Sequence, residues 1–277
     1  MPASTSIVMT LLPGARVLLA AHARELPQRD DLCGAFCGAL ALRAAGIEDR
    51  DGEPVDQDAV ALAAGSIVSR FTDPMILPFD EVGRRDYRLS LPVVEDAATS
   101  GTTAAGLVAA VETVSGGRLV AIPYTGPWTA STLDGLFEAL AALERPATLV
   151  ANFASHHLWG GHARANQLLD YLLDGELAGP PPDWDVGHFA CVIGRVRGPG
   201  GSLYGVADTY PSLGDGGVHL QPQECLAAAI ERRDMPEGGM LAIVFAGDAP
   251  PVRTAAGSLG LVEGIWDNGT VTQATSR

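Results

Sequence analysis

Apolar positions along the chain fall into runs whose spacing separates helices from strands. Residues 33–45 (CGAFCGALALRAA) follow Asp30 and Asp31 and stop at Gly46. Acidic or amide residues favour a helix start and glycine the position just past its end, so this run reads as a helix. Residues 57–70 read as a second helix, 102–114 as a third behind a threonine cap, and 131–143 (STLDGLFEALAAL) as a capped amphipathic fourth. Shorter, β-branched runs read as strands: 118–124 (RLVAIPY), 147–153 (ATLVANF), 188–196 (HFACVIGRV), 203–209 (LYGVADT) and 240–245 (MLAIVF). The turn RGPGGS at 197–202 joins two of them, and 221–232 closes the series as a helix.

Helices dominate the first half and hairpin-linked strands the second. That order predicts an α+β fold with an antiparallel sheet, not an alternating parallel one. Three stretches fit no regular element. Residues 71–98 are proline-rich and irregular. Residues 155–186 hold three histidines, two tryptophans and a run of three prolines, and read as an insertion around a short helix at 163–173. Residues 248–277 are rich in Gly, Pro and Thr and read as a loosely attached tail. No boundary divides 1–247, which is taken as one domain.

Composition narrows the function. The formal net charge is −15, which disfavours nucleic acid and anionic membrane surfaces as partners. All 18 basic residues are arginine, so Schiff-base lysines and P-loop lysines are excluded. The four cysteines, Cys33, Cys37, Cys191 and Cys225, are too sparse for a disulfide framework and fit a reducing compartment. With no signal peptide pattern and no apolar run of membrane-spanning length, a cytoplasmic location is expected.

Cys33 carries the candidate chemistry. A thiolate in the first turn of a helix meets unpaired N–H groups and the positive end of the helix dipole. Cys37 lies one turn on, Cys191 alternates with Phe189 and Ile193, and Cys225 sits on a helix; these read as packing. His188 opens its strand. If the following turn centres on Gly198, His188 faces Asp208, close enough for a carboxylate to fix the imidazole tautomer. A register slip of two keeps them diagonal neighbours; a slip of one puts them on opposite faces. Gln28, five residues before Cys33, is a candidate oxyanion donor. Buried packing for Cys33 and a solvated loop position for Gln28 are the alternative readings. His219, beside the glycine-rich turn GDGG, reads as a surface residue and second-choice base, and His22 as structural. His156, His157 and His162 do not match a zinc-binding spacing, so no metal site is assigned. Trp159 and Trp184 in the insertion and Trp128 in the loop after a strand are candidate substrate-binding rings, the insertion covering the cleft.

The run QRDDLCGAFCGALAL (28–42) resembles the nucleophile segment of papain-like cysteine peptidases, above all those that process double-glycine leader peptides. The segments RPATLVANF (145–153), GHFACVIG (187–194), GVADTYP (205–211), QPQECLAAAI (221–230) and GGMLAIVF (238–245) follow in the order of that family, so the resemblance spans 28–245. It implies a papain-like fold with the nucleophile helix packed on the sheet. It also implies Cys33 as nucleophile, His188 as general base and acid, Asp208 as its orienting partner and Gln28 in the oxyanion hole, with no cofactor. Leu32 stands where the family has an acidic residue and Thr209 where it has proline, Gln28 is one residue nearer the cysteine, and 155–186 has no counterpart. The expected function is cysteine-nucleophile hydrolysis of a peptide or small amide through an acyl-enzyme. An acyltransferase or amide-forming enzyme with the same residues, and a non-catalytic peptide-binding protein, are the alternatives.

Overall fold

A computed structural model describes residues 6–71, 77–233 and 235–270. In chain order the elements are β1 (Val8–Leu11), α1 (Ala15–Glu25), α2 (Cys33–Ala44), β2 (Asp49–Arg50), β3 (Glu53–Pro54), α3 (Gln57–Ala64), β4 (Val68–Ser69), β5 (Val93–Val94), α4 (Ala104–Val114) and β6 (Leu119–Thr125). There follow α5 (Ala130–Ala141), β7 (Thr148–Ala154), α6 (Ala165–Asp174), β8 (Gly187–Arg197), β9 (Ser202–Ala207), β10 (Val218–Pro222), α7 (Gln223–Glu231), β11 (Gly239–Phe245), α8 (Ala249–Ser258) and β12 (Val262–Glu263).

The large sheet runs β10-β9-β8-β7-β11-β6-β12, with β1 extending the β7 side of β8, and every pair in it is antiparallel. Period-2 alternation gives it two apolar faces. Val150, Cys191, Ala207 and Ile243 join the core built with α1, α2, α3 and α4. Leu149, Val192, Val206 and Ala242 join a second core built with α5, α7 and α8. The fold is therefore α+β, as expected, with helices on both faces of one antiparallel sheet.

Helix α2 is the central element of the first core. Every residue from Gly34 to Leu42 is buried, so the helix is apolar on all sides instead of amphipathic. Its glycines allow close approach: a Cβ on Gly38 would lie 2.7 Å from Leu107 Cδ1 of α4 and 2.9 Å from Val60 Cγ1 of α3. Helix α3 is shorter than its apolar run. Asp56 caps it through Ala59 N, and Gly65, at φ 66°, ends it. Val68–Ser69 then turns extended and pairs with Val93–Val94.

The C-terminal segment differs from the expected loose tail. Pro250 and Pro251 fall in the first turn of α8, where a missing N–H costs nothing. Ala249, Val252 and Ala256 are buried against the second core, and β12 pairs with β6. Trp266 is 2% exposed, packs into the first core and donates to Asn152 Oδ1 at 3.1 Å. Composition concealed this because Gly and Pro are also the residues of helix ends and turns. The part of the expected tail at 271–277, and 72–76 of the irregular stretch, lie outside the described residues.

Candidate active site

Cys33 is the first residue of α2. Leu32, at the N-cap, has no side-chain acceptor, so the first-turn N–H groups receive no cap. They remain free to stabilise an anion at the helix start. The preceding loop is pinned from three directions. Gln28 N donates to Thr209 O at 2.9 Å, Arg29 N to Gln57 Oε1 at 2.6 Å, and Ser69 N to Asp31 Oδ2 at 2.7 Å. Cys33 keeps intermediate exposure, while Cys37 and Cys191 are buried and Cys37 is held in the thiol form by burial and its neighbouring thiol.

His188 and Asp208 meet as the diagonal neighbours that a two-residue slip of the hairpin leaves, and a β-bulge produces that slip. The ladder begins with Arg197↔Ser202 and Arg195↔Tyr204; carried on unbroken, it would put Asp208 opposite Cys191, on the face away from His188. A β-bulge between Val192 and Gly194 shifts it to Cys191↔Ala207. Asp208 then follows on the Ala190 side, diagonal to His188 on the same face. His188 Nε2 lies 2.8 Å from Asp208 Oδ1, and both residues are 2% exposed. With Nε2 engaged, Nδ1 is the ring nitrogen left for Cys33, which lines the same small cavity as His188. Burial alone would push the His188 imidazolium to deprotonate. The Asp208 carboxylate and the Cys33 sulfur outweigh it and raise the histidine to about 10. For Asp208, burial favours the neutral acid, and the positive charge and hydrogen bonds of His188 and the bond from His219 hold it well below the usual carboxylate range.

Asp208 collects further donors on its carboxylate and on its backbone carbonyl. Thr209 N lies 2.7 Å from Oδ1, His219 Nε2 3.1 Å from Oδ2, and His22 Nε2 2.5 Å from the Asp208 carbonyl oxygen. His219, expected on the surface, is 6% exposed and faces Asp208 because β10 pairs with β9 in the register His219↔Val206. Gln221, two residues on, shares that face and bonds His219 Nδ1 at 2.9 Å. The alternation Val218-His219-Leu220-Gln221 carried the signal for this strand, but the glycine-rich turn before it suggested a loop. His22 is buried and structural, as read.

Gln28 is 4% exposed and lines the same small cavity, of about 100 Å³, as Cys33, His188, Trp184 and Tyr210. Its Nε2 donates to the Tyr210 hydroxyl at 3.0 Å, and its Oε1 is buried without a partner. The Tyr210 hydroxyl in turn donates to Asp30 Oδ1 at 3.2 Å, so a half-turn of the near-symmetric amide that aims its NH₂ in the vacant direction would require the hydroxyl hydrogen to leave Asp30 for Gln28 Oε1. Trp184 packs edge-on against His188, ring centroids 4.8 Å apart. On its other side Cys33 borders a second cavity of about 170 Å³, lined by Thr102, Asn152, Phe189, Asn268 and Thr270. Here the C-terminal segment is a wall of the site: Ala104 N donates to Asn268 Oδ1 at 3.2 Å, and Asn268 Nδ2 donates to Thr102 O at 3.2 Å.

Of the three tryptophans expected to line the cleft, Trp184 alone does so. Trp159 is buried against Tyr171 and Leu203, with its backbone held by Gln221. Trp128 packs into the second core and borders cavities away from Cys33. The insertion bends back through its own helix α6, so one end of it, not its whole length, reaches the site. His156 pairs with Asp185 at 2.6 Å and His162 with Ser212 O at 2.9 Å. Among the described residues no three His, Cys, Asp or Glu side chains converge as a metal site, and no helix is long and apolar enough to cross a membrane.

Residues 12–267 match a family of unknown function (DUF6885), and the chain belongs to that family. No curated protein matches the sequence.

Proposed function

We propose that this protein is a papain-like cysteine hydrolase that cleaves a peptide or related amide through an acyl-enzyme on Cys33. The observation that carries the reading is the convergence of Cys33, Gln28 and His188 on one cavity, with His188 Nε2 anchored 2.8 Å from a buried Asp208. In this reading His188 takes the Cys33 proton on Nδ1, giving a thiolate–imidazolium pair stabilised by the helix start and by Asp208. The thiolate attacks the substrate carbonyl. The negative charge that develops on its oxygen meets the first-turn N–H groups of α2 and the turned Gln28 amide. The C–N bond breaks as His188 delivers its proton to the leaving nitrogen. Water then gives a proton back to His188, attacks the thioester and releases the acid and the free thiol. Tyr210, which holds the Gln28 side chain, and Trp184, which covers the His188 ring, complete the enclosure.

Activated N-acyl amino acid esters test the reading without knowledge of the natural substrate. Acid-quenched intact mass is expected to show one acyl group on wild-type protein and none on Cys33→Ala. Turnover in Cys33→Ala equal to wild type would contradict it.

A further inference from the structure

We infer that His219 is a positioning residue of this site, an uncharged second donor to the Asp208 carboxylate whose tautomer is dictated by the backbone of Trp159. The inference rests on the proposed Cys33–His188 chemistry. Its starting point is fixed polarity: a backbone N–H only donates and a backbone carbonyl only accepts. Trp159 N lies 2.8 Å from Gln221 Oε1, and Trp159 O lies 2.8 Å from Gln221 Nε2. These two bonds settle which end of the Gln221 amide is which, a choice otherwise open for such groups. The second hydrogen on Nε2 is then directed at His219 Nδ1, 2.9 Å away. Nδ1 must accept, so the ring proton sits on Nε2, which donates to Asp208 Oδ2 at 3.1 Å. Gln221, His219 and Asp208 are 0%, 6% and 2% exposed, so the chain runs through the interior, where an unmade bond to a charge is costly.

The arrangement solves an electrostatic problem. Asp208 Oδ1 already receives His188 Nε2 and Thr209 N. Its other oxygen is buried and needs a donor. A second imidazolium there would compete with His188 for the same negative charge; a neutral imidazole fills the position without doing so. Removing it leaves a carboxylate oxygen unpaired and the carboxylate free to rotate, which loosens the His188 ring. Three strands thus carry one polar row, His188 on β8, Asp208 after β9, and His219 with Gln221 on β10. The row ends on Trp159, so the 155–186 segment is tied to the Asp208 carboxylate by hydrogen bonds and to His188 by the Trp184 ring.

The test uses the full chain and the variants His219→Leu, His219→Gln, Gln221→Leu and His188→Ala. In the wild type, nitrogen-15 NMR of the histidine rings is expected to show residue 219 protonated on Nε2 alone. His219→Leu is expected to slow Cys33 alkylation near neutral pH by about 10- to 100-fold, the scale of one hydrogen bond to a buried charge. It should also move the acid limb of the pH profile and the His188 ring resonances. His219→Gln, which restores a donor, should recover most of the rate; Gln221→Leu should lie between. An Nδ1-protonated residue 219 in the wild type would overturn the inference, as would His219→Leu with a wild-type pH profile and unmoved His188 resonances. If wild type and His188→Ala alkylate alike, the hydrolase reading fails instead, and the ring resonances still decide whether His219 positions Asp208 and His188.

Discussion

Helix α2 and the strand ends opposite it hold their reactive groups by different means. Cys33 rides on a body of small and apolar side chains wedged between β8 and the helices α3 and α4, with no side-chain hydrogen bond capping its start. His188 stands in a row of polar residues in which Asp208, His219 and Gln221 each bond the next. Packing locates the proposed nucleophile by volume, and any side chain of the right shape serves. The polar row locates His188 by donor and acceptor identity, where a similar shape with the wrong hydrogen is a different device. The first side should therefore respond to changes of size with loss of stability, the second to changes of proton position with loss of chemistry.

The largest expected effects fall on the chemistry. Cys33→Ala should abolish acylation while leaving the melting temperature near that of wild type, and His188→Ala should cost about 10²- to 10⁴-fold in acylation rate, the usual span for a general base. Next comes Gln28→Ala, expected to lower turnover by about 10²- to 10³-fold if its amide donates to the developing oxyanion. An unchanged rate would confine Gln28 to holding Tyr210. On the packing side, Gly38→Ala adds one methyl within 2.7 Å of Leu107 Cδ1. It should destabilise the fold by about 1–3 kcal/mol in denaturant titration, with turnover per folded molecule preserved. A catalytic loss without a stability loss would break the division drawn above.

The gentlest probe is pH. Raised to about 10 in the folded chain, His188 contributes stability that is complete below its unfolded value of about 6.5 and is lost as pH rises from there through 10. Asp208, depressed in the folded chain, contributes stability present above the usual carboxylate range and lost as pH falls through its lowered value. Burial lowers His22 despite its bond to Asp208, so its contribution is present above about 6.5 and declines on acidification. Urea unfolding across this range should show a basic-side decline that His188→Ala flattens and an acid-side decline that Asp208→Asn reduces. Equal slopes in wild type and variants would contradict these assignments.

The same contrast explains what was legible in the sequence. Helix α2 was readable from its apolar run and its bounds, because packing leaves its record in hydrophobicity. The main strands were readable for the same reason. Asp208 was paired with His188 by parity, but the register depended on a bulge at Ile193 that no local residue preference announces. His219 was misplaced because a five-residue strand after a glycine-rich turn offers little pattern, and its role depends on Asp208, 11 positions away in sequence, and on the register that sets it opposite Val206. Trp128 and Trp159 were counted with Trp184 as cleft rings, yet a tryptophan fits a core as readily as a cleft, and only tertiary placement separates them. The segment after 247 was underrated because helix α8 begins on prolines.

The central claim is that Cys33 is a thiolate made by His188. The most direct measurement is the rate of Cys33 alkylation by iodoacetamide against pH, read by intact mass, in wild type and His188→Ala. The account predicts rapid alkylation of the wild type well below pH 7 and its loss in the variant. A wild-type profile that rises only around pH 8.5, the range of an ordinary thiol, and that is indifferent to His188 would contradict it.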